Sequence, residues 1–319
     1  MRPLIAVPVT LLLIVRAYTR RSLTPLGILS AALTATVHAL HPSALPFTLL
    51  CVFFLLGTTA TKVKHDVKAT LTLSSSGASG GEGPRTSIQV VANSGCASLL
   101  CLLHVWLYGT GTSKDGECFG GSQRSNERIA DVLLLGIMAN YAAVAADTLS
   151  SELGILSKSQ PVLITNPLRV VPRGTNGGVT LGGLLAGVGG SAAIAATSLA
   201  FLRFCAGSTI DAAAMFFLLT LLGTIGTLLD SFLGAMLQAS VIDRRSGKIV
   251  EGPGGVKVLT KPKSTGVAHV QGRGRRLSGE ESSRLIDSGN DILDNNQINF
   301  LMASIMSLSG MAAGNLWWR

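Results

Sequence analysis

Apolar residues in this chain gather into long runs separated by polar stretches. Seven runs, at 23–40, 43–60, 87–107, 129–146, 179–202, 212–239 and 298–318, approach or exceed the ~20 residues that carry a helix across a bilayer. A shorter run at 3–15 lies between Arg2 and Arg16. No small-residue cleavage site with a soluble domain behind it follows, so this run reads as a short first span rather than a signal peptide. The pattern predicts an all-α fold: a polytopic transmembrane helix bundle of about seven or eight spans, with residues 1–319 forming a single integral membrane domain.

Three polar segments interrupt the runs. The first, 61–86, opens on the basic stretch "TKVKHDVK" and passes into a Ser/Gly segment, 74–85, expected to be flexible. The second, 152–178, carries "VLIT" and "LRVV" on either side of Asn166-Pro167, which predicts a small hairpin at the membrane surface. The third, 243–297, is a long Gly-, Ser- and Lys/Arg-rich loop, expected to be cytosolic and disordered over 266–290. Gly183 and Gly187 form a GxxxG pair of the kind that lets helices approach closely.

Composition agrees with the runs. The chain is 47% hydrophobic and 13% charged, whereas soluble domains carry about 25% charged residues. Of its 26 Lys and Arg, 20 fall in the loops after spans one, three, five and seven. That asymmetry makes those loops cytosolic and both termini non-cytosolic. It also accounts for the net charge of +9, so no nucleic-acid partner is expected. The five cysteines show no CxxC or Cys/His spacing. They read as small buried hydrophobes, with neither a zinc site nor a disulfide.

The topology brings the polar motifs to one face. "ADTLSSE" (146–152) ends span five and "LLDSFLGAMLQ" (228–238) ends span seven. "QVVANSG" (89–95) and "PRGTNGG" (172–178) open spans four and six there. Asp147 and Glu152 are five residues apart, so a continuous helix points them roughly 140° from each other. They could share one metal only if the helix breaks between them. Asp147 with hydroxyl neighbours such as Ser151 suits Mg²⁺, and equally Asp147 could cap a following surface helix. Asp230 interrupts an otherwise uncharged run, which marks it as a functional candidate, with Ser231 and Gln238 able to join its pocket and Asn93 as a further polar group. Gly174, Thr175, Asn176, Gly177 and Gly178 form a turn whose amides could face an anion, although a plain connector is the commoner use of such a turn. Lys62, Lys64 and Lys68, and Arg173 beside the glycines, could hold phosphate or merely anchor topology, and Lys62 and Arg173 are taken as the candidates. Two or three carboxylates, a glycine turn and cations together suit Mg²⁺-dependent phosphoryl transfer, and adjoining spans would offer a slot for a lipid tail.

The blocks "GTTATKVKHDVKA", "QVVANSG", "ADTLSSELGILSKSQPVLIT", "PRGTNGGVTLGGLLAG" and "LLDSFLGAMLQ" resemble the transmembrane protein 19 family over roughly residues 25–240 and 295–316. The resemblance implies, for the plant and cyanobacterial branch, a phytyl-phosphate kinase, with CTP or another nucleoside triphosphate as donor. It places Asp147, Glu152, Asn176, Gly177, Gly178 and Asp230 in the active site. The expectation is a prenyl-phosphate kinase acting on an isoprenoid lipid phosphate among membrane lipids, with Asp147 and Asp230 as ligands of Mg²⁺. A transporter or lipid flippase is the alternative, and a non-catalytic membrane scaffold a third. Nothing N-terminal resembles a plastid transit peptide, so the endoplasmic reticulum or another endomembrane is the expected location.

Overall fold

The computed structural model describes residues 3–81, 83–110, 118–120, 125–205, 211–258 and 283–317. Nine α-helices appear among them. α1 (Pro3–Thr19), α2 (Pro25–Leu40) and α3 (Leu45–Lys62) are followed by a short α4 (His65–Leu71). The remainder are α5 (Ser87–Tyr108), α6 (Ser125–Gly154), α7 (Leu181–Phe201), α8 (Ala212–Leu237) and α9 (Asn295–Trp317). Their starts are written locally. Thr24, Thr180 and Asp211 accept hydrogen bonds from the amides of Gly27, Gly183 and Ala214, and Thr86 forms a reciprocal capping box with Gln89.

The described residues contain six helices long and apolar enough to cross a membrane: α3, α5, α6, α7, α8 and α9. α1 and α2 are also apolar, but at 17 and 16 residues they are about 24–26 Å long, short of a ~30 Å hydrocarbon core. The expected seven or eight spans thus become six full-length helices and two shorter ones.

α6 is the axis of the bundle, packing against α3, α5, α7, α8 and α9. Every residue from Leu133 to Ala146 is buried, which explains the run "YAAVAA": small side chains let neighbours reach its backbone. A Cβ on Gly190 would stand 2.7 Å from the Ala145 carbonyl oxygen, and one on Gly223 2.7 Å from that of Ala142. Gly187 of the GxxxG pair lies over the Ala146 carbonyl, and Gly183 lies against Gly154. Without lateral water to expel, close packing of this sort is what holds membrane helices together.

Two small sheets cap one end, so the fold is mostly helical and not purely so. The first has strand order β3-β2-β4, with β2 (Val162–Leu163) antiparallel to β3 (Asn166–Val170) and to β4 (Gly178–Val179). The hairpin turn falls at 164–165, and Asn166-Pro167 opens β3 instead of separating the strands. β3 is an edge strand, where a residue without N–H is tolerated. The second sheet has order β1-β6-β5-β7, from β1 (Leu73–Ser74), β5 (Ser240–Asp243), β6 (Ile249–Glu251) and β7 (Arg284–Ser288). Ser74 of the segment read as flexible therefore belongs to a strand. Of the stretch read as disordered, 266–282 lies outside the described residues and Arg284–Ser288 is β7.

At the opposite end, Cys118 and Cys205 form a disulfide with Cα atoms 4.8 Å apart, which corrects the reading of five unpaired cysteines. The partners are 87 residues apart in sequence, brought together by helix packing, and no local spacing announces them. Phe119 and Phe204 bridge beside them. Cys51, Cys96 and Cys101 are free. Alkylation of the denatured, unreduced protein should therefore add three adducts, and prior reduction should raise that to five. Intact mass reads the difference, and five adducts without reductant would remove the bridge.

Candidate functional site

The polar motifs converge on a cavity of about 660 Å³ at the sheet-capped end of the bundle. Asp147, Ser151, Glu152, Arg173, the turn 174–178, Asp230, Ser231 and Gln238 all line it. α6 runs unbroken from Ser125 to Gly154, so no helix break separates Asp147 from Glu152, and neither residue caps a following helix. The two carboxylates accordingly serve different neighbours.

Asp147 faces α8. Thr227 Oγ1 donates to Asp147 Oδ1 at 3.5 Å, and Asp147 and Asp230 are close enough for their charges to interact. With its amide nitrogen turned toward α8, Asn299 donates to Asp230 Oδ2 at 3.0 Å. Both aspartates are only partly covered, and the space they share is the cavity. Two like charges side by side are comfortable only with a cation or a proton between them.

Glu152 instead accepts from Lys68 Nζ and Thr61 Oγ1, each at 2.5 Å. The Lys68 and Glu152 side chains are 7% and 10% exposed, so this ion pair is almost dry. Lys68 also donates to the Ala60 carbonyl at 2.8 Å. No group of three or more His, Cys, Asp or Glu side chains able to hold a metal occurs among the described residues, so Glu152 does not complete a ligand set with the aspartates.

The lysine at the cavity is Lys68, where the sequence reading chose Lys62. Lys62 is exposed at the end of α3 and does not line the cavity. Lys64, at φ 47°, reverses the chain into α4 and folds Lys68 back over the end of α3. Arg173 lines the cavity and donates to the Ile155 carbonyl at 2.6 Å.

The glycine turn is more occupied than a bare anion nest. The Thr175 amide donates to Pro172, the Gly178 amide to Thr175, and the Asn176 amide to Ser240 Oγ at 2.9 Å. Gly177, at φ 74°, presses on α8, where a Cβ would stand 2.6 Å from the Ser231 carbonyl. The turn thus fastens the first sheet to α8 and shapes the cavity wall. The Ser151 hydroxyl is taken up by the Asp147 and Thr148 carbonyls. Asn93 is not in this cavity. Its side chain donates to Gln89, its carbonyl accepts from Asn140 Nδ2 at 3.0 Å, and it lines a separate groove.

Several lining residues escaped the sequence reading. Glu251, whose carboxylate lies beside Gly174 of the turn, and the loop Gly252–Gly255 also line the cavity, followed by Lys257, which pairs with Asp291 at 3.1 Å. Burial pushes the Glu251 carboxyl above its usual range, and the nearby Glu152 adds to that. The signal was present in "EGPGGVK", three glycines in four residues beside a carboxylate and a lysine, inside a segment read only as loop. The cavity therefore has an acidic pair on α6 and α8, with Lys68 and Arg173 among its cations. Such an arrangement can hold a metal-bound polyphosphate beside an anionic acceptor.

The profile of a family described as integral membrane protein DUF92 matches residues 8–307. Protein PGR of Arabidopsis thaliana is 35% identical over 311 residues, which cover 96% of this chain and 94% of that protein. Protein VTE6, chloroplastic, from the same plant is 29% identical over 162 residues, 51% of this chain and 42% of that one. An uncharacterized membrane protein of Methanocaldococcus jannaschii is 52% identical over 58 residues, 18% of this chain. No solved structure matches the chain.

Proposed function

The chain belongs to the DUF92 family of integral membrane proteins, and from that premise we propose that it is a prenyl-phosphate kinase. It would transfer a phosphoryl group from a nucleoside triphosphate, CTP or another, to an isoprenoid monophosphate: R–O–PO₃²⁻ plus NTP gives R–O–P₂O₆³⁻ plus NDP. The observation that carries this reading is that Asp147 and Asp230 line one cavity together with Lys68 and Arg173. The kinase activity implied by the family resemblance, and the likeness to the VTE6 protein over half the chain, support it.

Mg²⁺ fits the donor set, because it takes one or two carboxylates and fills its remaining positions with phosphate oxygens and water. Asp147 and Asp230 would hold it, and when bound it supplies charge neutralisation at the transferring phosphoryl oxygens. The protein's own part is positioning. Arg173 offers a cationic donor to phosphate oxygens. Lys68 spends its three N–H donors on Glu152, Ala60 and Thr61 and so fixes the wall beside it, and the glycine turn keeps side chains out of that wall. The acceptor oxygen is anionic at neutral pH, so no strong general base is needed.

A transporter or flippase would need a polar path through the bundle. The polar cavity lies at one end, and α6 beyond it is buried in apolar packing from Leu133 onward, with Asn140 and Tyr141 as its polar interruptions. The disulfide at the other end belongs in an oxidising compartment, which supports a site facing the reducing, nucleotide-rich side and termini on the far side. An endomembrane location stays a proposal of the sequence, and the name of one relative points to a plastid instead. Purified protein in detergent, given labelled nucleoside triphosphate, Mg²⁺ and a panel of prenyl monophosphates, should form a labelled diphosphate. Failure with every acceptor would overturn the kinase.

A further inference from the structure

A second hollow lies beside the polar cavity. It is a narrow groove of about 80 Å³ walled by α1, α2, α3 and α5, with Leu13, Ile28, Ala32, Leu50 and Phe54 among its apolar lining. From Ile28 to Ala35 it follows α2 for about 10 Å into the bundle. Arg85 stands beside the start of α5, and Gln89, one turn into that helix, lines both the groove and the polar cavity. We propose that this groove seats the proximal tail of the lipid acceptor and that Arg85 holds its phosphate at the mouth. The proposal rests on the kinase reading for the identity of the acceptor as an isoprenoid monophosphate.

Arg85 is built into its place. Its amide donates to the Ser22 carbonyl and its carbonyl accepts from the Thr24 amide, both at 3.0 Å, which ties the start of α5 to the start of α2. The guanidinium lies against Gly57, where a Cβ would stand 2.8 Å from Nη1. Any other residue at 57 would push it away. A juxtamembrane arginine that merely set topology would reach outward to headgroups, and this one is turned into the bundle, half-buried. Among the described residues it has no carboxylate partner. Its one side-chain hydrogen bond there is a long one, 3.5 Å from Nη2 to Thr61 Oγ1, so most of its five donors remain for a ligand.

Charge along the border favours an anion. Arg85 touches Thr61, Thr61 donates to Glu152, and Glu152 pairs with Lys68. Lys68 and Glu152 neutralise each other, which leaves Arg85, without a carboxylate partner among the described residues, as the cation presented where the apolar groove meets the polar cavity. A single-chain lipid phosphate matches that sequence of surfaces: apolar tail in the groove, dianion at Arg85, reactive oxygen toward Asp147 and Asp230. Pockets for whole small molecules measure roughly 300–1,000 Å³, so the groove takes only the start of a long tail, and the rest would stay in the bilayer.

The test uses geranylgeranyl monophosphate carrying a tail diazirine, and the matching alcohol, photolysed with the full-length protein in detergent. The phosphate probe should label peptides of α2, α3 and α5. Arg85→Ala should weaken its labelling by roughly tenfold to a hundredfold, Arg85→Lys by less, with labelling by the alcohol unchanged. Ala32→Phe, which fills the groove, should weaken both probes. Label elsewhere in the wild type overturns the proposal, and so does equal loss of phosphate and alcohol in Arg85→Ala. Groove label without diphosphate formation sinks the kinase and leaves the lipid site standing. Diphosphate formation with label elsewhere does the reverse.

Discussion

Replacing Asp230 with asparagine is expected to lower the rate of diphosphate formation by about 10²–10³-fold, while the protein stays folded. Asparagine has the same shape and can keep a contact to Asn299, so the packing of α8 against α9 survives. What disappears is one of the two charges that would hold Mg²⁺ at the transferring phosphoryl group. Preorganised charge at a reacting centre is worth about 3–4 kcal/mol per group, which sets the size of the effect. Asp147→Asn should behave alike, and the double variant should be little worse than the weaker single one, because groups acting as a unit are not additive. Stability should not fall, since either substitution removes a repulsion between like charges. Asp211→Asn is the control: it caps the far end of α8, where asparagine caps as well as aspartate. Initial rates at saturating Mg²⁺, with thermal unfolding of each variant in the same detergent, decide the matter. Wild-type rates in Asp230→Asn would remove the pair from the chemistry.

The features readable in the sequence were those set by the bilayer and by chain direction. Apolar runs located every long helix, because a lipid environment demands a full-length apolar helix from each span separately. The alternation of runs then put Asp147, Asp230, Arg173 and the glycine turn at one end, where the cavity brings them together. Partners fixed by three-dimensional packing were not readable. Lys62 and Lys68 look alike in "TKVKHDVK", and only the left-handed Lys64 between them decides which one turns back into the bundle. Cys118 and Cys205 meet because α5, α6 and α7 return their ends to the same place. Strands of two residues such as Leu73–Ser74 carry no period at all, and they exist because a longer partner lies beside them. Arg85 had the appearance of one more topology-setting cation. Its significance comes from Gly57, 28 residues away, which has room for a guanidinium.

Glu152 separates two accounts of the site, and its replacement should act on stability first. If it were a metal ligand or catalyst, Glu152→Gln would abolish turnover and leave the fold intact. The structure instead gives it to Lys68 in a nearly dry ion pair, braced by Thr61. Removing one partner of such a pair strands the other charge, at a penalty of about 3–5 kcal/mol. Glu152→Leu and Lys68→Met should therefore each lower the unfolding temperature markedly, and Glu152→Gln should do the same. The double variant Lys68→Met/Glu152→Leu should recover most of the loss, because well-packed apolar residues replace a buried pair at little net cost. The coupling read from this cycle should be well above the 0.5 kcal/mol at which neighbouring sites are distinguished from independent ones. The double variant loses one positive and one negative charge together and keeps Arg85, so the KM for the lipid and the KM for the nucleotide should both hold once the fold has recovered. Additive losses in the cycle, with no recovery in the double variant, would show that Lys68 and Glu152 do not depend on each other. Glu152 would then return to the candidates for chemistry.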